Sequence, residues 1–71
     1  MTTQNIVELT AQRLSPGFLD ENDIQGFMAA TLETIDDLGL QEVEVFKTTN
    51  YNTAADKLYV MAEEVRALYL A

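Results

Sequence analysis

From Ile24 to Leu38 the residues Ile24, Phe27, Met28, Thr31, Leu32, Ile35 and Leu38 recur at offsets 0, 3, 4, 7, 8, 11 and 14. At about 100° per residue these positions form one broad stripe, the pattern of an α-helix with one face turned to a core. Gly39 follows at once and can adopt the left-handed backbone that ends a helix. Ahead of the stripe, the Asp20 carboxylate can accept from the free N–H groups of a first turn. Glu21 and Asp23 would then lie at the positive end of the helix dipole. A helix over about 20–38 is expected, with Phe18 and Leu19 stapling back onto Ile24.

The other segments read less sharply. Ser15-Pro16-Gly17 is the clearest break in the chain. Before it, Ile6, Val7, Ala11 and Leu14 can share a face of a helix over about 4–14. Asn5 and Glu8 are placed as a capping box there, with Thr2 or Thr3 as the alternative start. After the polar run Thr48–Asn52, a helix over 53–70 is expected to open at Thr53, with Asp56 in the capping-box position. Its core stripe would be Leu58, Met61, Ala62, Val65, Leu68 and Tyr69, with the Tyr69 hydroxyl reaching solvent. Residues 40–47 fit a short helix through Leu40, Val43 and Phe46, or a strand-like connector through the alternation in Glu42–Phe46. A strand has no evident partner in the chain, so the helix or an irregular connector is favoured. The fold expected is a small all-α bundle of three to four helices, one acidic domain spanning 1–71.

A chain of 71 residues buries only about 60% of the surface its unfolded form exposes. It has no Cys and no His, so it can form no disulfide, no Cys/His zinc site and no triad with a histidine base. Helix packing, or association with a partner, is what remains to stabilise it. Twelve Asp/Glu against four Lys/Arg give a formal net charge of −8, which argues against direct nucleic-acid binding. With 48% hydrophobic residues, the chain is too apolar for a disordered acidic tail. No stretch resembles a signal peptide or a membrane span, so a cytoplasmic location is expected, or a virion if the chain is phage-encoded.

Catalytic chemistry finds little footing. Read as an EF-hand loop from Asp20, the acidic run offers Ile24, Gln25 and Thr31 where an oxygen ligand, a glycine and a glutamate are needed. Asp36 and Asp37, with Glu33 nearby and Asp23 two heptads away, could act as an acid–base pair or hold Mg²⁺ with a phosphate. These positions are expected to face water, though, and general acid–base work calls for a buried carboxyl. Ser15 has no histidine to activate it, Lys47 and Lys57 are single, and Gly17, Gly26 and Gly39 are too far apart for a phosphate loop. No enzyme, no cofactor and no metal is expected.

Two helix faces suggest a partner instead. On the last helix Val60, Ala67 and Leu70 lie off the core stripe and, with Ala71, make a second apolar strip, with Tyr59 exposed near Glu63 and Arg66. On the second helix Gly26, Ala29 and Ala30 are small enough to admit another helix. A glycine there costs about 1 kcal/mol against alanine, so propensity alone does not explain it. The leading expectation is a non-enzymatic interaction or assembly module that binds a protein partner or itself. The alternative is an acidic mimic of nucleic acid, with Asp23, Glu33, Asp36, Asp37, Glu42 and Glu44 gathered on one surface. Glu8, Asp20, Asp23 and Asp56 are expected as helix-start devices.

The segment Leu19-Asp20 through Ile35-Asp36, followed by Ala54-Ala55-Asp56-Lys57-Leu58 in a closing helix, resembles small phage head-to-tail connector proteins. The resemblance spans about half of the chain. It implies a helical adaptor of a virus particle without enzymatic activity, and it carries no residue roles across.

Overall fold

The computed structural model describes residues 3–71. They form four helices and no strand: α1 (Thr3–Arg13), α2 (Ile24–Asp37), α3 (Glu42–Phe46) and α4 (Tyr51–Leu70). The all-α bundle read from the apolar stripes is what the chain adopts, and residues 40–47 take the helical option. Phe46 is buried and Leu40 and Val45 are half-buried, while Val43, expected on the inner side, is 41% exposed. A five-residue helix turns only one narrow side inward, and here Phe46 occupies it.

Helix starts differ from expectation by up to a turn. α2 begins at Ile24, and its cap is Asp23, whose Oδ1 accepts from the Gly26 N–H at 3.0 Å. The Asp20 carboxylate accepts from the Asn22 N–H at 2.8 Å instead, closing a small turn before the helix. Short polar side chains readily bond their own backbone in this way, and where several stand in a row the turn competes with the cap. α4 begins at Tyr51, because Asn50 Oδ1 accepts from the Thr53 N–H at 3.0 Å; Thr53 is inside the first turn and Asp56 plays no capping part. In α1, Asn5 lies within the helix and Glu8 Oε1 accepts from Gln4 Nε2 at 3.3 Å, so the capping box does not form. The alternative start at Thr2 lies outside the described residues.

Helix ends follow expectation more closely. Gly39 has φ +74°, its N–H donates to the Asp36 carbonyl at 2.9 Å, and the Leu40 N–H reaches the Ile35 carbonyl at 3.2 Å. That pair of bonds is a Schellman motif, which satisfies the last carbonyls of α2. Gly17 has φ +77° behind Pro16, and the Phe18 N–H closes the turn onto Ser15 O at 3.0 Å.

The core is Ile6 and Val7 from α1, Phe27 and Ile35 from α2, Phe46 from α3, and Leu58, Met61, Ala62 and Val65 from α4. α4 packs against each of the other three helices and is the hub of the bundle. Thr10, Thr31 and Thr34 are fully buried as well. Each donates its hydroxyl to the carbonyl four residues back, at 2.7, 2.8 and 3.0 Å, so none is left unpaired in the apolar interior. The radius of gyration is 11.4 Å, against about 11 Å for a compact chain of this length.

Tyr69 ties the ends of this arrangement together. Its ring meets Phe27 edge-on at 5.5 Å. Its hydroxyl donates to Ser15 O at 2.6 Å and accepts from the Phe18 and Leu19 N–H groups at 2.8 and 3.2 Å. The hydroxyl expected to face solvent thus holds the α1–α2 connection onto the last turn of α4. Tyr69→Phe keeps the ring contact and removes these bonds at a partly wet site, so a loss of about 1 kcal/mol is expected. Tyr69→Ala should cost clearly more, because it removes the ring as well. Urea unfolding with an unchanged m-value for the Phe variant is the measurement.

Candidate functional site

On the outer face of α4, Val60 is 57% exposed and Leu70 50%, with Ala67 and Ala71 exposed beside them. Leu68, expected in the core, is 43% exposed. The segment from Ser15 to Leu19 is held over Tyr69, and Leu68 on the flank is left uncovered. The apolar positions therefore concentrate in the last turn of α4. Val60 stands apart from them, beside Asp56, Lys57 and Glu64 in a depression of about 450 Å³. The Lys57 ammonium donates to the Phe46 carbonyl at 2.7 Å, so that cation is engaged in closing the end of α3.

Tyr59 is 45% exposed on the same helix. The Glu63 carboxylate, one turn on, accepts a hydrogen bond from its phenol and adds a negative charge. Together these hold the phenol above its ordinary value of 10.0, with Arg66 opposing. Arg66 also donates to the Glu21 carbonyl at 3.4 Å.

The small-residue face of α2 divides in two. Ala29 is exposed, whereas Gly26 and Ala30 are half-buried. A Cβ on Gly26 would lie 2.6 Å from Asp23 Oδ2 and 2.8 Å from Leu19 Cδ2. The space that a partner helix would need at Gly26 is thus taken by the chain's own cap and by Leu19. Phe18, paired with Leu19 in the expected staple, is instead 71% exposed. It borders a small crevice with Arg13, Ala30 and Glu33.

Of the six carboxylates of the acidic alternative, Glu33, Asp36 and Asp37 are neighbours within about one turn of α2. Asp23 caps the start of α2, about 20 Å along the helix from Asp37. Asp37 pairs with the Arg13 guanidinium, which also reaches Thr34 Oγ1 at 3.3 Å. Glu33 lines the crevice beside Arg13, and Asp36 and Glu42 line a groove between α2 and α3. Glu44 is exposed on α3. Among the described residues no three carboxylates gather as a metal ion would require. No described helix is long and apolar enough to cross a membrane. Besides the strips already noted, the structure exposes Phe18, Val43 and Tyr51; their signal in the sequence was an aromatic or aliphatic side chain beside a turn.

Comparison with protein-family models, curated proteins and solved structures gave no match.

Two measurements follow. Gly26→Ala should fail to deliver the helix-propensity gain of about 1 kcal/mol in the native background, and should deliver it once Asp23 and Leu19 are both alanine; a full gain in the native chain would mean that the position is open. For Tyr59, a raised folded pKa stabilises the fold fully below pH 10, and that contribution is lost as pH rises through the raised value. In a tyrosinate absorbance titration, Glu63→Gln should move one transition back toward 10, and Tyr59→Phe should abolish that transition.

Proposed function

We propose that this chain is a non-enzymatic interaction or assembly module that binds a protein partner, or a second copy, through its helix surfaces. The observation that carries this reading is the cluster of exposed apolar residues at the end of α4, Ala67, Leu68, Leu70 and Ala71, with Val60 exposed about two turns before it. A small chain that leaves leucines uncovered at the end of its longest helix gains by covering them. The shape supports the reading too. The principal extents are 34 × 22 × 15 Å, and helices pack about 8–10 Å apart, so the molecule is at most two helices thick. Every helix keeps an outward face.

The acidic-mimic reading rests on net charge and on Glu33, Asp36 and Asp37 within about one turn of α2, of which Asp37 is paired to Arg13. The virion-adaptor reading is one form of assembly module and is compatible with the α4 face.

Sedimentation velocity at micromolar concentration, together with affinity capture from the native host, tests the proposal. Leu70→Asp and Val60→Asp should abolish the association or the captured partner while circular dichroism, and thermal unfolding at a concentration where the wild type is monomeric, stay close to wild type, since both side chains are half or more exposed. A strictly monomeric chain that captures nothing, with both variants behaving identically, would overturn it.

A further inference from the structure

We infer that a second surface, the groove bounded by α2, α3 and α4, binds a cationic amphipathic helix. The inference rests on the reading of the chain as a binding module and names the chemistry of one partner. Two adjoining depressions of about 570 and 550 Å³, with Leu32, Glu42 and Val43 lining both, make up this groove. Its apolar lining runs along α2 through Met28, Leu32 and Ile35, with Leu58 of α4 at one end and Leu40 at the other. Met28 to Ile35 is two turns of helix, about 10 Å, which matches a ligand helix with apolar anchors at i, i+3 or i+4, and i+7. Val43, turned outward by the short α3, and Tyr51, 84% exposed, are the uncovered apolar side chains on its lining.

Charge selects the occupant. No Lys or Arg lines either depression, while Asp36 and Glu42 do. The four cations of the chain lie elsewhere: Arg13 on Asp37, Lys57 on the end of α3, Arg66 by Glu21, and Lys47 in the depression at Val60. A second copy, itself at −8, would bring like charge to this rim. A helix with leucines on one face and lysines flanking them fits both the apolar lining and the carboxylates.

The probe is a synthetic amphipathic Leu/Lys helix, compared with the same leucine pattern carrying Glu for Lys, and the readout is amide chemical-shift mapping and fluorescence anisotropy with the full chain. The Lys peptide should bind and perturb residues around Leu32, Val43 and Leu58, and the Glu peptide should not. General attraction to an acidic protein is separated by two double variants, D36K/E42K and E63K/E64K, which change net charge equally. The first should weaken binding at least tenfold and the second by far less. Equal loss in both, peptide-induced shifts mapping elsewhere, concentration-dependent shifts at the groove residues without peptide, or no binding would each overturn the inference. Val60→Asp and Leu70→Asp should leave peptide binding intact, so failure at the α4 face and failure at the groove are read separately.

Discussion

The Tyr69 side chain is the constraint on which the arrangement of this chain turns. Ser15, Phe18 and Leu19 stand some fifty residues before it, and one hydroxyl binds the backbone of all three. Closing a loop of that length is entropically unfavourable, and the edge-on contact with Phe27 helps to offset the cost. The bond also fixes the rotation of α4. With Tyr69 turned inward, its neighbours at ±100° cannot both reach the core, so Leu68 and Leu70 stand on the flanks. The exposed leucines of the last turn are thus a geometric consequence of the interaction that holds the bundle closed.

The interior shows how little a chain of this size has to work with. Three of its fully buried side chains are threonines, which fill volume but must return their hydroxyls to the helix backbone. A second copy or partner burying a standard interface would cover about 800 Å² on this chain, against the 4672 Å² it exposes alone. Binding on that scale would be a substantial part of the stability of the whole, since domains this small retain only a few kcal/mol. With such a partner, folding and binding would be linked, and the free chain would be the less stable form.

Periodicity made the helices legible, because a 3.6-residue apolar stripe has no other stable use. The left-handed end at Gly39 was legible for a similar reason, since few residues tolerate that backbone. Starts were harder. Asp20, Asn22 and Asp23 are all competent caps, and the turn that Asp20 closes onto Asn22 leaves the cap to Asp23. The small residues of α2 show the same limit: Ala29 is open, but Gly26 is small because its own cap and Leu19 approach it. The outward positions of α4 at Val60 and Leu70 could be read from one helix alone. The groove along Met28, Leu32 and Ile35 could not, because its lining is assembled from three elements that do not adjoin in sequence.

Acidity acts on all of these surfaces at once. The carboxylates are exposed on the helices and on the turn before α2, and charge of one sign keeps molecules with uncovered leucines apart at long range. Where a carboxylate has a cationic neighbour, as Asp37 has Arg13, its field is locally cancelled; at Asp36 and Glu42 no cation shares the groove. On the proposed reading, the apolar faces would therefore differ in the partner they favour. An uncharged apolar surface can cover the last turn of α4 with little electrostatic cost. At the groove, apolar burial alone would strip water from unpaired carboxylates, and a ligand that supplies cations replaces that hydration. Net charge, weak evidence of function as a single number, becomes informative once the positions of the few cations are known.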